Sequence, residues 1–406
     1  MRRVAAAAAL LAVLAGCGNR VPPNTFQVWT ISLRPLFTSY MQDVIARWEA
    51  LHPGVHVDWI DLPIDAIQQK LIVALASGHP PSVVNLNTDM ANQLADMGVL
   101  ENLNAAIPAP RRAVYFPGFW NAHAIPWYVS ATVIMYNADL FRRAGLDPDK
   151  PPASWGDLIA DAKAIEEKTG VAGWLPSIKF IDELQEQGIP VVSADGKHAL
   201  FDSPRAVEWL DMYVKLFQAG VLPRESILLS KAYAQAVDLY QAGRLGVLMT
   251  GPQFLNRVRD NAPSIYAATR VAPVPMGPGK VIGAGVMNFV IPENAPMKND
   301  AIDFALFLTD DENQLRFCQM VPVFPSTIKA AGDPFFSSPS GDPLMARARK
   351  IGAGELKEAR DLTLDLKNEK DRNEAIQDAV VSALLGEKTP DRALRDASAI
   401  WDRLLQ

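Results

Sequence analysis

Three short β-rich runs near the start of the chain, each followed by a run of helical period, restrict the fold more than any other feature. "TFQVWT" (25–30), "VHVDWI" (55–60) and "PSVVNLN" (81–87) carry β-branched and aromatic residues, which suit a pleated, half-buried surface. Between the first two lies "FTSYMQDVIARWEALHPG". In it Phe37, Met41, Val44, Ile45, Trp48 and Leu51 recur at helical spacing before Pro53-Gly54, the pattern of an amphipathic helix with a stop. "DAIQQKLIVALASG" is a second such helix, closed by Gly78. Strands alternating with helices at this spacing predict a parallel-type α/β sheet. In open α/β sheets ligands sit beyond the carboxyl ends of the strands, here Trp29-Thr30 and Asn87-Thr88-Asp89.

The pattern restarts past residue 150. "PPASWGDLIADAKAIEEKTG" predicts a helix entered through Pro-Pro and capped by Ser154 ahead of Asp157. "SPRAVEWLDMYVKLFQAG" predicts another from Ser203 to Gly220, and "AYAQAVDLYQAG" a third. "RLGVLMTGPQF" and "AGVMNFVIP" read as strands, and two helices flank Gly386 to Pro390 at the C-terminal end. A chain of 406 residues suits two domains better than one. The formal charge is −6 and no Lys/Arg-rich block occurs. A nucleic-acid partner, which needs a basic face for phosphates, is therefore not expected.

Met1-Arg2-Arg3 is a short basic region ahead of an apolar stretch from Val4 to Ala15. That stretch is too short to span a bilayer and fits the core of a signal peptide. Leu14 to Cys17, "LAGC", resembles the bacterial lipobox. The resemblance implies cleavage before Cys17 and acylation of that residue, with 1–16 as signal peptide and 17–24 as a tether stiffened by Pro22-Pro23. The plainer alternative is an ordinary secretory signal with an incidental cysteine. No second apolar stretch is long enough to cross a membrane, so an anchored extracytoplasmic lipoprotein is expected. Cys318, the other cysteine, lies beside apolar residues and reads as a buried small hydrophobe without a disulfide partner.

The motifs of common catalysis are missing. No G-x-S-x-G, H-E-x-x-H, G-x-x-x-x-G-K-[ST] or G-x-G-x-x-G occurs. His52 and His56 have i, i+4 spacing, but Pro53-Gly54 breaks any helix between them, so turn histidines are expected rather than a metal pair. No cofactor or metal is implied. Carboxylates are plentiful, and a glycosidase-like pair stays open, although nothing selects one pair.

One stretch departs from a plain core strand. "IPWYVSATVIMYN" (125–137) is rich in β-branched residues, yet it opens with Pro126-Trp127-Tyr128 and closes with Tyr136-Asn137 ahead of "ADLFRRAG". It belongs to "AIPWYVSATVIMYNADLFRRAGLDPDKPPASWGDLIADAKAI". That segment, with "YQAGRLGVLMTGP", "APVPMGPG" and "GAGVMNFVIPENAPMKNDAIDFALFLTDDENQ" in the same order, resembles the family-1, maltose-binding-like extracellular solute-binding proteins of ABC importers. The resemblance implies an α/β, two-lobed periplasmic-binding-protein fold, with discontinuous lobes joined by crossover hinge strands. Lobe 1 would comprise 25–127 and 285–323, and lobe 2 would comprise 128–284 and 324–406. The crossovers would be the opening stretch, "VIGAGVMNF" and "MVPVFPST", where Gly283, Gly285, Pro322 and Pro325 suit hinges.

The expected ligand is a small carbohydrate, a mono- or disaccharide, and the expected partners are ABC permease subunits, with the chain acting as a monomer. Trp127 and Tyr128 flank the first crossover, where one of the two would face a sugar, Tyr128 for preference, since neighbours in a strand point opposite ways. Asn87 and Asp89 could bind hydroxyls, with helix capping by Asp89 as the competing role. Trp29 at the strand end competes with core packing, and Arg34 with solvated surface. The family likeness adds Tyr233, Trp174, and Gly283 and Asn288 on the second crossover. After Gly251-Pro252 the maltose-type members carry a stacking Trp, where this chain has Gln253 and then Phe254. Residues 364 to 400 hold no aromatic. Both departures point away from a long stacked maltodextrin and toward a smaller or more polar ligand. A polyamine, which acidic pocket residues would favour, and a phosphate ester, which basic ones would favour, remain alternatives. So do a glycosidase-like lipoprotein and a sensory lipoprotein that keeps the fold.

Overall fold

The structure, a computed structural model, describes residues 24–176, 178–224 and 232–406, with the backbone alone for 232–234. Cys17, the signal peptide and nearly all of the tether lie outside the described residues. The strands are β1 (Thr25–Ile31), β2 (His56–Leu62), β3 (Val83–Asn87), β4 (Ile125–Ser130), β5 (Val133–Asn137), β6 (Ala172–Leu175), β7 (Leu245–Thr250), β8 (Thr269–Ala272), β9 (Ile282–Gly283), β10 (Gly285–Val290), β11 (Phe324–Pro325) and β12 (Ala359–Arg360). They form a six-stranded sheet in the order β11-β4-β10-β3-β1-β2, a four-stranded sheet in the order β6-β7-β5-β8, and the pair β12-β9. The expected two-lobed α/β architecture is present, and each lobe draws on separated parts of the sequence.

The parallel character predicted for the first sheet holds only for β2-β1-β3. Strand β10 enters antiparallel to both β3 and β4, and the second sheet is likewise mixed. A strand arriving some 200 residues later cannot be anticipated from local alternation.

Local rules explain the helices well. Ser154 Oγ accepts from the Asp157 N–H at 3.1 Å while Asp157 Oδ2 accepts from the Ala153 N–H at 3.3 Å. This reciprocal cap opens the helix Trp155–Thr169. Ser203 caps Pro204–Gln218 one-way, its Oγ accepting from the Ala206 N–H at 3.4 Å, with proline in the first turn. The helix Thr38–Leu51 buries Tyr40, Met41, Val44 and Trp48, but Leu51 is 67% exposed, so the apolar stripe ends one turn before the helix does. Gly173 in β6 is required by close approach: a Cβ there would sit 1.9 Å from the Ala162 carbonyl oxygen. That contact lets the helix Trp155–Thr169 lie flush on the sheet.

Apolar clusters cover both faces of each sheet. Trp48, Trp127, Trp174 and Trp401 are almost wholly buried, and each such burial contributes about 1.5–3 kcal/mol. The C-terminal helices Glu369–Leu384 and Pro390–Leu404 belong to the second lobe. There Trp401 meets Phe201 edge-on, ring centroids 4.9 Å apart. Cys318 is buried in the first-lobe core as expected, and burial pushes its thiol pKa well up.

Two of the three crossings fall later than the sequence reading puts them. Strand β4 pairs with β10 as far as Ser130, and with Phe324–Pro325 on its other edge. The chain reaches the second sheet at Val133, so the first crossing is Ala131-Thr132. Residues 128–130 and 324–325 therefore lie in the first sheet rather than in lobe 2. The β-branched run continues through the crossing, so nothing local marks the change of core. The third crossing also comes after "MVPVFPST". Phe324 and Phe336 pack together in the first-lobe core, and second-lobe packing starts in the helix Pro343–Glu355 with Leu344 and Met345, ahead of the buried Ala348. A Cβ at Gly352 of that helix would reach 2.3 Å from the Phe324 ring, so the helix touches both lobes. The second crossing, through β9 into β10, lies where it is expected.

Candidate functional site

Strand β3 runs straight into the helix Thr88–Asp96. Asn87 Oδ1 accepts from the Met90 N–H at 2.9 Å and caps that helix. The cap role weighed for Asp89 is thus filled by Asn87, and Asp89 turns onto a cavity of about 360 Å³. The opposite wall belongs to the second lobe. Leu175 and Pro176 at the carboxyl end of β6, Lys179, Phe180 and Asp182, and Met249 of β7 line it together with Glu369, Arg372 and Ile376. Thr363, between the lobes in sequence, donates to Asp89 Oδ1 at 3.3 Å. The site lies at strand carboxyl ends of both sheets, as the general rule for open α/β sheets requires.

Its electrostatics are acidic. Burial pushes the Asp182 carboxyl up to about 6, with Asp361 and Asp89 adding to the rise and Lys179 opposing it. The Lys179 ammonium stands 3.7 Å from Asp182 Oδ2. Glu369 is 2% exposed, and burial followed by the neighbouring Asp89 pushes it up to about 8. Arg372 is 1% exposed. Its Nε and Nη2 donate to the Lys367 and Leu366 carbonyls at 2.8 and 2.6 Å, and its guanidinium lies 4.8 Å from the Trp401 ring centroid.

A polar chain ties the first lobe to the linking segment, residues 359–363, that follows the helix Pro343–Glu355. Asn288 Nδ2 donates to Thr88 Oγ1 at 3.0 Å, and Thr88 donates to Asp361. Glu186 accepts from the Gly283 N–H at 2.7 Å, and burial pushes its carboxyl up to about 7. Asn288 and Gly283 are thus engaged in bonds to Thr88 and Glu186 and do not line the cavity.

The aromatic candidates are in other places. Trp127 is 0% exposed in the first-lobe core, between Phe289 and Phe317 at 4.9 and 4.6 Å. Tyr128 packs on the same Phe317 at 5.2 Å, and burial pushes its hydroxyl up to about 12. Neither lines the cavity, against the expectation that one would. The register shift between Met287 and Asn288 opposite them lets both neighbours reach one ring despite strand alternation. Trp174 packs between Trp155 and Tyr213 in the second-lobe core, on the opposite face of β6 from Leu175, which lines the cavity. Trp29 donates to Gln27 and faces a shallow depression beside the helix Ile64–Ala76. Arg34 donates to the Trp59 carbonyl and lies 4.2 Å over the Trp59 ring. Gln253 precedes the helix Phe254–Asn261, and Phe254 packs toward the cluster around Leu248 and Leu255. The Tyr233 side chain lies outside those described. Of the predicted residues whose side chains are described, Asp89 alone lines the cavity.

Lys179, Asp182, Glu369 and Arg372 were missed. They come from two distant helical segments, and a search for stacking aromatics passes over them. The usable signal was the charged run "EKDR" at 369–372, which forms the first turn of the helix Glu369–Leu384. His52 stacks on Trp48 at 3.9 Å and its Nδ1 donates to the Trp48 carbonyl at 2.9 Å, which matches the turn role given to it. Among the described residues no group of His, Cys, Asp and Glu has the arrangement of a metal site.

A family model described as "Bacterial extracellular solute-binding protein" matches residues 33–315. A binding protein of Brucella abortus is 24% identical over 390 residues, covering 90% of each chain. The sn-glycerol-3-phosphate-binding periplasmic protein UgpB of Escherichia coli K12 is 26% identical over 242 residues, 53% of this chain and 54% of that one. Among solved structures, a candidate oligosaccharide periplasmic-binding protein from Synechococcus sp. MITs9220 is 32% identical. It superposes with a TM-score of 0.83 over 93% of this chain and 98% of that chain.

Proposed function

Since this chain belongs to the bacterial extracellular solute-binding proteins, the solute-binding components of ABC transporters, we propose that its cleft captures a mono- or disaccharide and passes it to a permease. One observation carries this reading: a cavity of about 360 Å³ with Asp89 on one lobe facing Lys179, Asp182, Glu369 and Arg372 on the other. Carboxylates accept hydroxyl hydrogen bonds and an ammonium donates them. Leu175, Ile178, Phe180 and Ile376 supply an apolar wall for the C–H face of a ring. The volume lies at the low end of the roughly 300–1,000 Å³ usual for small-molecule sites. Among the described residues the aromatics that line it are Phe180 and Trp401, and Arg372 already covers the latter. A small polyhydroxylated solute fits that wall better than a row of stacked sugars.

Capture is the whole task in this reading, performed by one chain held at the outer face of a membrane through Cys17. A phosphate ester is disfavoured because three carboxylates line the cavity against two cations. A thermal-shift screen across monosaccharides, disaccharides and maltodextrins tests the proposal, since a ligand that binds only the folded state raises the melting temperature. A small sugar should stabilise the protein, and the shift should vanish in Asp89→Asn/Asp182→Asn. Tighter binding of maltohexaose than of any smaller sugar, or no sugar response at all, would defeat it. Sustained hydrolysis of a chromogenic glycoside that survives repurification would replace it with an enzyme.

A further inference from the structure

We propose that the solute carries a protonated amine, held between Asp89 of the first lobe and Glu369 of the second, so that the cleft prefers an amine-bearing sugar to a neutral one. The inference rests on reading this cleft as the solute site.

Glu369 is the unusual group. Its side chain lines the cavity and is 2% exposed, yet among the described residues neither carboxylate oxygen has a donor of its own, and the group it meets is the Asp89 carboxylate, another acceptor. Buried polar groups are nearly always paired, and a buried carboxylate without a counter-charge is costly. Its position in the first turn of the helix Glu369–Leu384 favours negative charge through the helix dipole but satisfies neither oxygen. The residue beside it, Asp89, is a second carboxylate.

The nearby cations are engaged elsewhere. Arg372 directs Nε and Nη2 to backbone carbonyls and stacks on Trp401. Lys179 pairs with Asp182. Asp89 and Glu369 therefore form an acceptor pair, one from each lobe, that opens onto the cavity and that no cation among the described residues bonds directly, Arg372 acting on Glu369 only through its nearby charge. An ammonium supplies three donors on a compact charge, enough for both carboxylates and one more acceptor. A neutral hydroxyl donates once and leaves the second carboxylate unpaired, and a phosphate meets like charge. The apolar wall at Leu175, Ile178 and Phe180 accommodates a ring or an alkyl chain equally, so an amino sugar and an aliphatic polyamine share the chemistry.

Isothermal titration of the full mature chain with glucosamine, glucose, N-acetylglucosamine and putrescine separates these sources. Glucosamine should bind at least tenfold more tightly than glucose, and N-acetylglucosamine, whose nitrogen is neutral, should behave like glucose. Glu369→Gln should bring glucosamine and glucose within about twofold of each other, with its melting temperature measured to show that it folds. Asp89→Asn, on the other lobe, should do the same and serves if the first variant does not fold. Glucose binding as tightly as glucosamine, or a preference unchanged in both variants, overturns the amine proposal while leaving the sugar reading intact. Putrescine binding without either sugar upholds the amine and overturns the sugar reading. Failure of every amine to bind overturns the proposal whatever the neutral sugars do.

Discussion

Replacing Glu183 by glutamine should change how stability responds to pH. Glu183 sits in the helix Phe180–Glu186, is 7% exposed, and does not line the cleft. Its Oε2 accepts from Trp209 Nε1 at 3.0 Å. Burial pushes its carboxyl from 4.5 up to about 8, and Glu186 and Asp182 add to the rise against the Trp209 bond. The sign follows from proton counts. Below about pH 4.5 both folded and unfolded chains hold the proton, and the group's full contribution is present. Between about 4.5 and 8 the unfolded chain releases the proton and the folded chain keeps it, so stability is lost as pH rises. The loss is at most about 1.4 kcal/mol per pH unit, on the order of 4 kcal/mol across the window. Glutamine keeps an acceptor for Trp209 and cannot ionise. Urea unfolding at pH 5 and pH 8 at one ionic strength should then show a smaller loss in Glu183→Gln than in the native chain, by on the order of 2–4 kcal/mol. Some pH dependence should persist, because Glu355 and Glu369 are also pushed up to about 8 by burial. Parallel pH dependences for the two proteins would refute the account, by showing that Glu183 is not held protonated.

Trp127→Ala should lower stability by roughly 3–5 kcal/mol and leave solute affinity per folded molecule unchanged, read by urea unfolding and calorimetry. Lost affinity at native stability would return that ring to the cleft. Cys17→Ala should move the protein from the membrane pellet to the soluble fraction after cell fractionation without altering solute binding. Persistence in the pellet would end the lipid-anchor reading.

What the sequence disclosed and what it withheld divide along physical lines. Helix caps at Ser154 and Ser203 and the strand-helix alternation through residue 87 are local, and they stand in the structure as read. The antiparallel entry of β10 is set by a partner that arrives about 200 residues later, and no period reveals it. The aromatics misled because a tryptophan at a strand mouth and one in a core obey the same pattern. Trp127 and Trp174 differ from a stacking residue only in which side of the sheet is covered. Asp89 was legible because it follows a strand end. Asp182 and Glu369 were not, since only the tertiary fold brings residues 89, 182 and 369 to one cavity.

The same geometry explains how recognition can be coupled to closure. Thr88 and Asp89 are adjacent, and both bond the linking segment, Thr88 to Asp361 and Asp89 to Thr363. That segment continues from β12, which pairs with β9, and β9 is fixed from the second lobe by Glu186 on the Gly283 N–H. A ligand shifts a conformational equilibrium only by binding one state better than the other. A cation held by Asp89 and Glu369 meets that condition, because its two partners stand on opposite lobes and both reach it only when the lobes approach. A neutral ring resting on Leu175 and Ile178 touches one lobe and gains less from closing. Charge at this site would thus decide both which solute binds and how firmly the lobes close on it, and neutralising Glu369 should weaken the second effect together with the first.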